Sequence, residues 1–257
     1  SAMGRRRPTA RAAALAGLLA LGAGCLSLGP RLDPLRIGTR ADAPPLAFRD
    51  GRRWRGVEID LGRAFAERLG MRPVFVALTP GELLPALLDG RVDLLMAGLA
   101  VTEERRVQMD FASPYLVVGQ GVLVRRADLP RVTTAIKIRS ATARAGVIQD
   151  SAGDRLVARY FPRASRYSFP DLDSAADALR QRRVDMVVGD APALWWTARE
   201  APSDLALAPA LFAREEIAWG FRRGSVRLRE SANDAFADWR RDGTLERILR
   251  RWLPVSP

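Results

Sequence analysis

Apolar positions along this chain change period repeatedly. From Val57 to Leu69 they recur every three or four residues (Ile59, Leu61, Ala64, Phe65, Leu69). That is the stripe of an amphipathic helix, and Gly70 ends it. From Leu94 to Met96 and from Met186 to Val188 they run together. Runs this short and this hydrophobic suit strands buried on both faces of a helix-covered sheet. Continued along the chain, the pattern predicts strands at 35–39, 73–78, 92–96, 117–125, 143–148, 166–169 and 217–221, with 205–212 extended. Helices are predicted at 80–89, 151–161, 192–200, 226–239 and 244–252. Thr102 is a candidate N-cap for a helical turn over 102–106. Residues 41–45 and 111–115 read as loops, and 126–142 as polar and irregular. Strand and helix alternate throughout, which is the mark of an α/β fold.

Two stretches of this pattern are versions of each other. One is L-L-P-A-L-L-D-G-R-V-D-L-L-M-A-G, residues 83–98; the other is S-A-A-D-A-L-R-Q-R-R-V-D-M-V-V-G-D, residues 174–190. Each holds an amphipathic helix, then Arg-Val-Asp, then a short apolar run. Ligands of open α/β sheets sit outside the carboxyl ends of the strands. Gly98 and Asp190 therefore stand at equivalent places in two similar lobes. If the lobes face each other, the chain is a clamp with a ligand between them. The plainer alternative is one ordinary helix-to-strand turn used twice.

Composition narrows the function. The 257 residues suit one or two domains, and 48% are hydrophobic, enough for packed cores. A formal net charge of +12 invites a nucleic-acid partner. The basic residues are scattered, however, and Lys137 is the only lysine among 41 of them, so an arginine-biased composition explains the charge. No aromatic-interleaved basic stripe or nucleic-acid motif accompanies it, and no nucleic-acid partner is expected. With no His and one Cys, the chain has no Ser-His-Asp or Cys-His machinery, no disulfide and no thiolate metal site. No metal, cofactor or catalytic residue is expected.

The N-terminus reads as an address. Ser1-Ala2-Met3 resembles a cloning scar around a start Met, Arg5-Arg6-Arg7 a basic leader, and Ala12 to Gly24 an apolar segment too short to span a bilayer comfortably. Leu21-Gly-Ala-Gly-Cys25 resembles a bacterial lipobox, with Gly22 where a branched residue is expected. Cys25 is thus the candidate lipidation site, and residues 26–33 a tether. The alternative is cleavage elsewhere with Cys25 incidental.

Further motifs stand in order along the rest of the chain. L-R-I-G-T at 35–39, P-P-L-A-F at 44–48 and G-V-E-I-D-L at 56–61 come first. A-G-L-A-V-T-E-E-R at 97–105, F-A-S-P-Y at 111–115 and D-G-T-L-E-R-I-L-R-R-W at 242–252 follow. Together they resemble the family 3 extracellular solute-binding proteins over about residues 35–254. The resemblance implies a two-lobe periplasmic-binding-protein clamp of type II with two crossings between lobes. Lobe one would be 34–118 with 218–257, and lobe two 119–217. It also implies a monomer that captures an amino acid or similar small carboxylate outside the cytoplasm and hands it to the membrane subunits of an ABC importer.

The same resemblance places a binding site. An amino-acid zwitterion needs a cation for its carboxylate and an anion for its ammonium, and the arginine fork suits a carboxylate. The family's carboxylate-binding Arg falls on Arg105, with Ala97, Gly98 and Ala100 where backbone groups meet the ligand; on its own, Arg105 could be a solvated helix-face arginine. The ammonium-binding acid falls on Asp190, which also stands where a helix N-cap would. Ser151, at a helix N-terminus, would help hold the carboxylate. Asp150 replaces the usual Gly, and would cap that helix or oppose a second negative charge. Arg40 and Ala43 replace the acid and aromatic of relatives for cationic amino acids, so Arg40 argues against a cationic ligand. Phe48, Asp42 and Trp195-Trp196 are candidate specificity elements, although packing is the readier reading for the two Trp. Gly81 stands where an aromatic often lines the pocket.

Two other classes share this fold. One resembles cyclohexadienyl dehydratases, which carry an acid shortly after the second-lobe Asp; here Ala191-Pro-Ala-Leu194 follows, with no acid until Glu200. The other is a ligand-sensing regulatory module.

Overall fold

Short apolar runs flanked by amphipathic helices fold here into two helix-covered sheets. The computed structural model describes residues 32–253. The expectations for residues 1–31, including the signal segment, Cys25 and most of the tether, and for residues 254–257 lie outside it.

In chain order the elements begin with β1 (Pro34–Thr39), β2 (Asp42–Ala43), β3 (Ala47–Asp50), β4 (Arg53–Arg55), α1 (Val57–Arg68), β5 (Arg72–Ala77), α2 (Pro80–Leu88) and β6 (Leu94–Leu95). There follow α3 (Glu103–Arg106), β7 (Asp110–Phe111), β8 (Leu116–Arg125), a 3-10 turn (Arg126–Arg131), α4 (Ala135–Ser140), β9 (Arg144–Ile148), α5 (Ala152–Tyr160), β10 (Ser165–Phe169) and α6 (Leu172–Arg180). The last are β11 (Met186–Asp190), α7 (Ala191–Glu200), β12 (Leu205–Leu207), β13 (Phe212–Ile217), β14 (Gly220–Phe221), α8 (Val226–Asp242) and α9 (Thr244–Trp252).

The first sheet has the order β5-β1-β6-β14-β7, and the second β10-β9-β11-β8-β12, with β13 also paired to β8. The inner strands are buried on both faces, as their unbroken apolar runs require: Ile37, Leu94, Leu95 and Phe221 in the first sheet, Val122, Val147, Val187 and Val188 in the second. The first core centres on Trp219, Phe65 and Phe236, and the second is split between the two faces of its sheet. The chain passes between the sheets along β8 and returns along β13. These strands pair antiparallel, with Leu116 opposite Ile217 and Val117 opposite Glu216.

The repeated Arg-Val-Asp does the same job in both lobes. Asp93 accepts the backbone N–H of Arg36 at 2.7 Å and the Arg36 guanidinium at 2.6 and 3.2 Å. Asp185 accepts the backbone N–H of Arg144 at 2.8 Å and its guanidinium at 2.8 and 3.1 Å. Each aspartate thus clamps the start of its sheet's parallel neighbour, β1 or β9. The Arg144 hydrogen bonds hold the Asp185 carboxyl below its ordinary value of 3.8. A lowered folded value means stability that is present at neutral pH and lost as pH falls through it. Asp185→Ala should therefore cost about 1–2 kcal/mol at pH 7, discounted for partial exposure. The cost should shrink once the carboxyl is protonated below that lowered value, and urea unfolding at pH 7 and at about pH 2 checks it.

Two readings are corrected. Residues 42–55, where the sequence suggests a loop and then no regular element, form a three-stranded antiparallel sheet, β2-β3-β4. Residues 126–142 are not irregular: a 3-10 turn is followed by α4, whose N-cap Thr134 accepts from the Lys137 N–H and whose Ile138 is fully buried. Among the described residues no helix is long and apolar enough to cross a membrane.

Candidate functional site

Arg105 lies in the single-turn helix α3, which Thr102 caps by accepting the Arg105 N–H at 3.3 Å. Its Nη1 donates to the Ala100 carbonyl at 2.8 Å. The six least exposed arginines among the described residues are Arg36, Arg40, Arg105, Arg125, Arg144 and Arg229. Five of them have a carboxylate within 4.0 Å. Arg105 has none among the described residues. A half-buried guanidinium held by one backbone carbonyl keeps most of its five donors for an outside acceptor.

Behind Arg105 the 97–100 loop is fixed from inside. Gly98 takes a φ of +65°, a backbone conformation that favours glycine, and a Cβ there would also have to displace the end of the Leu46 side chain, 2.6 Å away. Its N–H donates to Glu58 Oε1 at 2.8 Å, while Trp219 Nε1 donates to Glu58 Oε2 at 2.9 Å. The Gly98 N–H and one lone pair of the Ala100 carbonyl, expected to face a ligand, are thus engaged within the protein. Ala97 packs with the apolar cluster around Leu87 and Leu95. Glu58 is fully buried, and burial pushes its carboxyl up to about 7 against the opposing pull of the Gly98 and Trp219 donors. The sequence reading missed it, because an acid in the first turn of a helix normally serves the helix dipole from the surface.

On the second lobe, Asp190 ends β11. It does not cap α7 with its side chain. Its Oδ1 accepts from Gln120 Nε2 at 2.7 Å, across the β11–β8 pair. Gln120 is 3% exposed, and its Oε1 is buried with no hydrogen-bond partner. This residue of the crossing strand orients Asp190 and was also missed; a polar side chain inside the apolar run 116–124 was the available signal. Ser151 caps α5, its Oγ accepting the Asp154 N–H at 3.1 Å. Asp150 is not the cap: it takes a φ of +58° and stays exposed.

Arg40 is paired with Asp42 at 2.9 Å, which offsets the charge expected to repel a cationic ligand. Phe48 packs against Trp196 of α7 at 5.3 Å between ring centroids, and against Trp252 at 5.8 Å. The fold thus links Arg105 with Ala100, and joins Phe48 to the second lobe. Among the described residues no hydrogen bond or ion pair connects Arg40, Gly98, Ala100 or Arg105 to Ser151 or Asp190.

Residues 35–255 match the model of the bacterial extracellular solute-binding proteins, family 3. The L-cystine-binding protein TcyJ of Escherichia coli K12 is 24% identical over 220 residues, which is 85% of this chain and 82% of that protein. The arginine-binding extracellular protein ArtP of Bacillus subtilis is 23% identical over 222 residues, covering 85% and 86%. A solved ancestral cationic amino acid solute-binding protein superposes with a TM-score of 0.78 at 27% identity, over 86% of this chain and 95% of that one.

Proposed function

The chain belongs to the bacterial extracellular solute-binding proteins, family 3, and from that premise we propose that it captures an amino acid between its lobes and delivers it to an ABC importer. The observation that carries this is Arg105, the one of the six least exposed arginines among the described residues that has no carboxylate partner. In this reading Arg105 takes the ligand carboxylate, assisted by the α5 N-terminus at Ser151, and Asp190 takes the ammonium. Asp190 Oδ1 is committed to Gln120, which leaves Oδ2 for the ligand. Arg40, tied to Asp42, and Phe48 border the ligand side chain.

The lobes are 34–118 with 218–257, and 119–217. Neither lobe alone neutralises a zwitterion, so the ligand favours the closed arrangement by its differential contacts. The paired segments Leu116–Gly119 and Glu215–Ala218 absorb the rotation. The protein acts as a monomer without a cofactor, at the outer face of a bacterial membrane, held there by lipid on Cys25. It performs no chemistry: with no histidine in the chain and no acid on α7 before Glu200, a dehydratase reaction has no evident proton donor.

Calorimetry with the twenty amino acids, and with the deaminated and decarboxylated analogues of the best of them, tests the reading. Wild type should prefer the intact zwitterion over the deaminated analogue by at least about tenfold, and Asp190→Asn should lose most of that preference. The ligand should be recovered unchanged. Equal affinity for the deaminated analogue would remove the ammonium role of Asp190, and turnover of prephenate or arogenate would make the protein an enzyme.

A further inference from the structure

Away from the Arg105 site, a second concentration of charge lies where α7 meets the β3–β4 hairpin and the end of α9. A cleft of about 290 Å³ is lined by Arg55, Arg63, Arg199 and Arg251, with Asp60 and Trp252 between them. It adjoins a groove of about 610 Å³ that shares Arg55 and Arg63 and adds Arg52 and Arg53. The two adjoining cavities are thus lined by six arginines and only two carboxylates, Asp50 and Asp60.

The arrangement is held in place. Asp60 accepts from Arg251 Nη1 at 3.0 Å, from Trp252 Nε1 at 2.9 Å and from Arg63 Nη1 at 3.4 Å. Arg55 is paired with Asp50 at 2.6 Å and lies over the Trp252 ring at 5.6 Å. Arg199 lies over Trp196 at 5.1 Å. An aromatic face behind a guanidinium steadies its plane and leaves the edge N–H donors facing outward. Arg52, Arg53 and Arg199 are exposed and have no carboxylate within 4.0 Å among the described residues. A single carboxylate satisfies one such fork, whereas a phosphate group brings up to two charges and three or more acceptor oxygens that several forks can share.

We propose that this cleft and its adjoining groove together form a second binding site, distinct from the Arg105 site, which takes a phosphate-bearing anion. Arg199 comes from the second lobe and the other arginines from the first, so an anion held there ties the lobes together. The phosphate is either free in solution or carried on a lipid headgroup.

Full-length wild type is titrated calorimetrically with inorganic phosphate and pyrophosphate, and floated with phosphatidylglycerol vesicles and with pure phosphatidylcholine vesicles. The same is done with Arg52→Glu/Arg199→Glu, and with a control, Arg163→Glu/Arg183→Glu, that changes net charge equally at exposed positions elsewhere. Binding should weaken as salt rises. It should fall at least about tenfold in the cleft variant while the control stays within about twofold. Pyrophosphate binding identifies a free phosphate; binding to phosphatidylglycerol vesicles without pyrophosphate binding identifies a headgroup. The proposal is overturned if neither probe binds wild type, or if both double variants lose binding equally. Binding of poly-glutamate but of neither phosphate probe would overturn it as well, assigning the cleft to an acidic protein segment.

Discussion

Replacing Arg105 by Ala should weaken binding of the best amino acid at least about 30-fold, the effect of losing about 2–5 kcal/mol from a charge-assisted pair in a closed site. The fold should hardly notice. Among the described residues the Arg105 side chain makes one hydrogen bond, to the Ala100 carbonyl, and the capping of α3 by Thr102 uses the backbone N–H of residue 105, which alanine keeps. Arg105→Lys should recover part of the affinity, since it restores the charge but not the fork. Calorimetry paired with thermal unfolding separates the two effects. Unchanged affinity in Arg105→Ala would end the assignment, and a fall in affinity accompanied by an equal fall in stability would move the residue to a structural role.

Glu58→Ala should act the other way, mainly on stability. It leaves the part-buried Gly98 N–H and the buried Trp219 N–H without their acceptor. At about 1–3 kcal/mol for each orphaned donor, the loss should be about 2–6 kcal/mol. Its pH dependence has a definite sign. The folded value of about 7 lies above the ordinary 4.5, so the native state holds a proton that the unfolded chain gives up. The contribution of Glu58 is therefore greatest below pH 4.5, declines as pH rises to 7 and is flat beyond. Deleting the carboxyl should cost about 2–3 kcal/mol more at pH 5 than at pH 8. Denaturant unfolding of both proteins at the two pH values measures this, and a cost equal at both, or larger at pH 8, would contradict it. Because the same carboxyl holds Gly98, the variant should also loosen the 97–100 loop beneath Arg105.

Much of this architecture is legible in the chain because its signals are local. The runs Leu94–Met96 and Met186–Val188 are apolar on both faces, and the helices beside them carry clear stripes, so both sheets could be read before any contact was known. Their matched Arg-Val-Asp turns pointed to two similar lobes, but the work of Asp93 and Asp185 depends on arginines 57 and 41 residues away. The β2-β3-β4 sheet escaped because its strands are two to four residues long and dominated by arginine and aspartate. Asp50-Gly51 was the hairpin signal available there. Within the proposed site, Arg105 and Asp190 are candidates by motif placement. Glu58 and Gln120 are not, since both look like surface residues until Trp219, Gly98 and Asp190 close around them.

Trp196 gives the molecule an optical gauge of its own. Its indole lies 5.3 Å from Phe48 and 6.2 Å from Trp252, both on the opposite lobe, with the Arg199 guanidinium 5.1 Å above it. Trp219 and Trp239 are buried within one lobe and emit the same light however the lobes stand. Separating the lobes would strip Trp196 of its aromatic neighbours and wet it, shifting its emission to longer wavelength. Lobe position in this family member can thus be followed in real time without attaching any dye.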